Sequence, residues 1–435
     1  MLELLVGNMV LVLFISFLIL LALGVPVAFS LGISSLIYFI GTNMPIHTYT
    51  QRFFAGLDSF TLLCIPGFVL AGNLMNFGGI TERLIGFCNK IVGHFTGGLA
   101  IANVGASMLF AGISGTALAD TVSVGGVLIP AMKKEGYDAG FSAAVTAASS
   151  CVGPIIPPSV PMIIAATLTN LSVSRLFMAG LFPGILLGVG MIIVSIIISK
   201  KRNYPKAERR ATLKEVLISG KESFWAILMT LIILSSIIGG FVTPTEASVL
   251  AVVYGIIIGI FVYRELTIKR LFQCLTQTAV SSAAIMALVG FANVFAYILT
   301  KERIPEMIAT TLLSMTRNKF IILLLINLLL IFVGMFMETI AAILILFPVL
   351  LKVVVAVGVD PVQFGVMVVL NLVIGLCTPP VGVCLFAAAN IAEEKLTVVV
   401  KELIPFLISN FIVLALVTYV PFITTGIANL VMGTK

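Results

Sequence analysis

The chain has 435 residues, of which 60% are hydrophobic and 10% charged. With a mean hydropathy of +1.21, this excludes a soluble globular protein and gives an all-α polytopic membrane protein with lipid as its solvent. The net charge of +7 sits in short loops between apolar runs, with no basic face of interleaved aromatics, so it reports orientation and excludes a nucleic-acid partner.

Runs of about twenty apolar residues mark crossings. The first, 4–23, lacks a positive n-region and flows into the second, so it reads as a retained helix and not a cleaved signal peptide. The next crossings are 27–40, which is short, and 60–80. Between them lies a polar loop with His47, Arg52 and Asp58, whose Phe53, Phe54 and Leu57 lie along the membrane surface. The stretch 94–132 is apolar at both ends and interrupted by Gly112-Ile113-Ser114-Gly115-Thr116-Ala117-Leu118-Ala119-Asp120. It reads as a re-entrant hairpin, its tip held at mid-depth by protein. A helix over 141–168 and a crossing over 176–199 follow.

Residues 200–222 form the one long charged connection, with eight basic residues, and read as a solvated linker between halves. The second half has crossings at 224–242, 247–263 and 279–299, and a surface stretch at 305–315. A second hairpin spans 320–357, with its tip at Gly334-Met335-Phe336-Met337-Glu338-Thr339. A helix over 362–389 and a final crossing at 403–424 close the chain.

The helix over 141–168 contains Ser149-Ser150-Cys151-Val152-Gly153-Pro154-Ile155-Ile156-Pro157-Pro158-Ser159, with three prolines and a glycine in mid-membrane. Each proline removes a donor and frees a carbonyl four residues earlier, so the run opens the helix and leaves oxygens facing a cavity, which suits a cation. The feature recurs 222 residues later, Gly153 matching Gly375, Pro157 matching Pro379 and Pro158 matching Pro380. Gly112 and Asp138 match Gly334 and Asp360 at the same offset. Five crossings and a hairpin per half, an odd number of crossings, imply inverted repeats: 1–199, the linker 200–222, and 223–435. Placing the linker in the cytoplasm puts 17 of the 25 basic residues on its side, as the positive-inside rule asks. Both termini then face outward, the first hairpin enters from the cytoplasm and the second from outside.

Broken helices expose carbonyls at one end and amides at the other, so one break can hold a cation and an anion together. A first sodium site is expected from Ser114 and Thr116 with backbone oxygens at Gly153, Ile156 and Pro158. The second would use Gly334, Glu338 or Thr339 with Gly375, Thr378 and Val381. Neutral oxygens favour sodium over a proton relay, which needs titratable groups along a path. Asp120 and Glu338 are the two deeply placed acids, functional by cost, although bracing the hairpin explains Asp120 equally well. Asn170 and Asn390 either contact substrate or cap neighbouring segments, capping ranking higher. The six cysteines have no CxxC or metal-ligand spacing and read as packing residues; no metal beyond sodium and no organic cofactor is expected. The absence of GxxxxGK[ST] excludes ATP as the energy source, and the absence of HExxH and GxSxG weighs against a membrane protease.

At Gly112-Ile-Ser-Gly-Thr-Ala-Leu-Ala-Asp120 and Gly153-Pro-Ile-Ile-Pro-Pro158 the chain resembles the large membrane subunit, DctM, of tripartite ATP-independent periplasmic (TRAP) transporters, and the likeness covers essentially its whole length. The resemblance implies a bacterial inner-membrane elevator carrier: a fixed scaffold, with the hairpins and broken helices carrying substrate. It further implies two or more sodium ions per cycle, a separate small membrane subunit of about four helices, and a periplasmic solute-binding protein delivering an organic acid such as a C4-dicarboxylate or sialic acid. A stand-alone sodium-coupled dicarboxylate or citrate symporter is the nearest alternative. An ion channel fits less well, because channels commonly build pores by subunit symmetry. A membrane enzyme lacks convergent acid, base or metal groups.

Overall fold

The structure, a computed structural model, describes residues 2–206, 209–316 and 318–433. Every secondary-structure element of the described residues is helical, as a membrane requires of any segment that must satisfy its own backbone. The first half of the chain runs α1 (Leu2–Ala22), α2 (Val27–Gly41), α3 (Ile46–Leu57), α4 (Cys64–Phe77), α5 (Ile80–Val92), α6 (Gly98–Ser114), α7 (Ala117–Lys134), α8 (Ala139–Ser149), α9 (Val160–Thr169) and α10 (Val173–Arg202). The second runs α11 (Leu213–Ile238), α12 (Pro244–Ile257), α13 (Ile268–Lys301), α14 (Ile304–Met315), α15 (Lys319–Gly334), α16 (Thr339–Ala356), α17 (Pro361–Gly375), α18 (Val383–Ala392), α19 (Leu396–Tyr419) and α20 (Thr425–Met432). Among the described residues, seven helices are long and apolar enough to cross a membrane, so the chain is a multi-pass membrane protein.

Three features differ from the sequence expectation. Residues 81–92, between the expected crossing 60–80 and the expected hairpin 94–132, form most of α5, which buries Ile80, Leu84, Ile85 and Cys88 on one face. The crossing expected at 279–299 is the inner part of α13, whose 34 residues extend about 51 Å at 1.5 Å per residue, well beyond the hydrocarbon thickness. Charged residues at both ends of the linker join α10 and α11, leaving only 203–212 between helices. There Arg202 bonds Asp138 and Glu402, each at 2.8 Å, and Tyr204 donates to Asp138 at 2.5 Å. Thr212 and Glu215 close a capping box on α11.

The bounds of α7 and α16 are related by 222 residues at both ends, and the irregular stretches 153–159 and 376–382 interrupt corresponding helices. In each stretch the Pro-Pro bond, Pro157–Pro158 in the first and Pro379–Pro380 in the second, is cis. Before these interruptions α8 and α17 are buried on every side, from Gly140 to Ser149 and from Val362 to Gly375. A helix with no polar face belongs in a core, and these two form the centre of the molecule.

Polar brackets fix them. Asn103 of α6 donates to Thr146 of α8 at 2.7 Å, and Asn371 of α17 donates to Asn327 of α15 at 2.7 Å. The central helices also touch each other: Cys151 and Cys377 place their sulfurs 3.2 Å apart, and the Cys377 thiol donates to the Ala147 carbonyl at 2.8 Å.

Candidate functional site: two helix breaks on one cavity

The first break is held against the α6–α7 tip. A Cβ on Gly115, which has a φ of +61°, would lie 3.0 Å from the Pro158 carbonyl oxygen, and one on Gly153 would lie 3.5 Å from that of Thr116. Thr116, Gly153 and Pro158 therefore lie close together at this tip. Ile156 packs its side chain on Gly184 of α10, anchoring the break from behind. Ser159 caps α9 by accepting from the Met162 amide at 3.2 Å and donates its own proton to the Pro154 carbonyl. No described donor reaches the carbonyls of Gly153, Ile156, Pro157 or Pro158. The side chain of Ser114 lies outside the described residues.

The second break is closer still to its tip. A Cβ on Gly375 would sit 2.6 Å from both the Cα and the carbonyl carbon of Gly334, so position 375 needs glycine for the backbones to approach. The Gly382 amide donates to the Met335 carbonyl at 3.4 Å. Gly375 and Thr378 are turned inward: the Thr378 amide donates to the Gly375 carbonyl at 2.9 Å, and its hydroxyl to Ile374 at 2.8 Å. Val381 follows with its side chain exposed. Thr339 is buried, and its hydroxyl has no partner among the described residues.

The four acids and amides separate into different roles. Glu338 is the N-cap of α16, one carboxylate oxygen accepting from the Ile340 and Ala341 amides at 2.9 and 3.2 Å, while the side chain is open to the central cavity. Asp120 is fully buried beneath the first tip, beside Ser107, and neither of its oxygens meets a described partner at bonding geometry. It does not line the cavity. Asn170 is the left-handed C-cap of α9, with φ +55°, and is exposed. Asn390 is exposed in the last turn of α18. Both asparagines sit at the far ends of their half-helices and are not brought to the breaks.

Both breaks open on one cavity of about 340 Å³. The tips line it with Thr116 and Leu118 on one side and Glu338 and Thr339 on the other, and the breaks contribute Pro154 and Leu376. Pro161 of α9 with Val383 and Cys384 of α18 also line it, and a further wall is α13, through Ser281, Ala284, Ile285 and Leu288, which is not evident from the sequence. The only signal available was the run of small residues Ser281-Ser282-Ala283-Ala284 inside a long apolar helix. A larger groove of about 530 Å³ along α14, α15 and α16 shares no residue with either break, and Thr311 is its one polar lining residue.

An all-helical membrane protein with two interrupted helices around one internal cavity belongs to the secondary-transporter class of architecture. The same fold occurs in the crystal structure of the YdaH transporter of Alcanivorax borkumensis, with a TM-score of 0.63 over 87% of this chain and 88% of that one at 16% identity. The model of the family described as "Tripartite ATP-independent periplasmic transporter, DctM component" matches residues 14–423, and the chain belongs to that family as a large permease subunit. It is 41% identical to the sialic acid TRAP transporter large permease protein SiaM of Vibrio cholerae, over 94% of this chain and 96% of the relative. It is 42% identical to the isethionate TRAP transporter permease protein DctMQ of Oleidesulfovibrio alaskensis over 94% of this chain, and the match spans 65% of that relative's length. The protein is thus a transport permease and not an enzyme.

Proposed function

We propose that this permease carries an organic acid inward across the bacterial inner membrane, coupled to sodium, by an elevator movement. The two halves, 1–199 and 223–435, act as inverted repeats joined by the cytoplasmic linker 200–222, with both termini periplasmic. The re-entrant hairpins are α6–α7 and α15–α16, and with α8–α9 and α17–α18 they form the moving part. The observation that carries the reading is the shared cavity, because a single compartment bounded by both tips and both breaks lets ion and substrate occupancy influence each other.

Sodium binds first where Thr116 and Ser114 meet the carbonyls of Gly153, Ile156 and Pro158. The second ion sits among Gly334, Gly375, Thr378 and Val381, with the Thr339 hydroxyl as a further ligand. Unwound backbone at half-helix ends suits such ions. We assign Glu338 to the substrate side, since its carboxylate caps α16 and faces the cavity. Relatives named for sialic acid and isethionate support an acid as cargo. A separate small membrane subunit and a periplasmic binding protein complete the transporter.

The test is uptake into proteoliposomes holding this chain and its small partner, under an inward sodium gradient, with and without the binding protein. Uptake that needs both sodium and the binding protein is expected. Sodium-driven uptake indifferent to the binding protein would make it a stand-alone symporter, and uptake that follows a proton gradient would overturn sodium coupling.

A further inference from the structure

The two tips present the cavity with opposite electrostatics. Position 116 and position 338 correspond at the 222-residue offset, and each is the N-cap of the second helix of its tip. At the first tip, no described side chain caps the amides of α7, the acid of its first turn, Asp120, does not line the cavity, and Thr116, Ala117 and Leu118 face it. At the second tip, the amides of Ile340 and Ala341 are already bonded to the carboxylate of Glu338. An anion-binding helix end is thus available on one side of the compartment and filled by the protein's own acid on the other.

Among the described residues no Arg, Lys or His lines the cavity, and none forms an ion pair with Glu338. The site is also built for a ligand: the Thr339 hydroxyl, 2% exposed, lines it without a described partner. From these features we infer that the cavity selects acids with a single negative group, a carboxylate or sulfonate, and disfavours dicarboxylates. The acid group docks on the α7 end, and the far end of the molecule, neutral or cationic, lies against Glu338 and Ser281. A second carboxylate there would face Glu338 across a compartment whose described lining holds no basic side chain, and like charges brought together are disfavoured. Glu338 is thereby a specificity-determining residue.

This inference rests on the transport reading. Its test is sodium-driven uptake by the reconstituted complex of two matched pairs, succinamate against succinate and isethionate against sulfoacetate, each pair differing in one charge. The wild type should favour the monoanion of the pair it carries by about tenfold or more. Glu338→Gln, and Glu338→Thr, which copies position 116, should each reduce that preference about tenfold while uptake remains sodium-driven. Equal or better uptake of the dianion by the wild type overturns the inference, as does an unchanged ratio in both variants. Absence of sodium-driven uptake for every probe overturns the transport reading, and this inference with it.

Discussion

Gly375 shows how much one missing methyl group does. A Cβ at this position would come within 2.6 Å of the Gly334 backbone, so Gly375→Ala must push the second tip away from its break. Overpacking of this kind costs about 1–3 kcal/mol, so the variant should melt earlier than wild type and lose sodium-induced stabilisation; an unchanged melting curve with sodium present would contradict the contact. Thr339 supplies a complementary test, because its hydroxyl is buried without a described partner. Thr339→Val removes an oxygen while keeping the shape, and should weaken apparent sodium affinity about tenfold, the loss of one favourable ligand interaction. Thr339→Ser should restore it. Equal sodium affinity in all three proteins would remove Thr339 from the second site. Prolines and glycines advertised the breaks in the sequence because their backbone consequences are local. The capping role of Glu338 was not legible, since an acid at a tip reads equally well as an ion ligand until the amides it accepts from are seen.

Among the helices, the end of α10 shows how the linker is tied to the core. Tyr204, pushed up to about 12 chiefly by burial and then by its bond to Asp138, stacks near Tyr137, which burial also pushes up to about 12. Both phenols keep their protons longer in the folded protein than at the ordinary value of 10. Their stabilisation is complete below that value and is lost as pH rises towards 12. Melting temperature should therefore hold steady up to about pH 10 and fall above it, and Tyr204→Phe should make that fall shallower. An identical slope in the variant would show that Tyr204 does not titrate with folding. The sequence hid the partly shielded Arg202 bridge because Asp138 and Glu402 lie 64 and 200 residues away from it. By contrast α5 could have been found, its buried Ile80, Leu84, Ile85 and Cys88 following helical spacing. The unbroken length of α13 has a local reason as well: Asp58 and Ser59, which separate α3 from α4, correspond at the 222-residue offset to Val280 and Ser281. Asp favours a helix end where Val does not.

Across the whole molecule, the 222-residue correspondence of the two breaks is visible in the sequence because proline and glycine act on the backbone locally, whereas the α13 wall of the cavity is not. Ser281 and Ala284 acquire meaning only when α13 packs across both tips, a long-range arrangement that local pattern does not encode. We propose that two separate breaks each hold a sodium ion that travels with one acid. The most direct measurement is the ratio of sodium to acid moved, taken from the membrane potential that just cancels flux in proteoliposomes bearing the reconstituted complex. Two or more sodium ions per acid are expected in the wild type, and a lower ratio in Thr339→Val, with the first break left intact. A ratio of one in the wild type, or a flux set by the proton gradient alone, would contradict it.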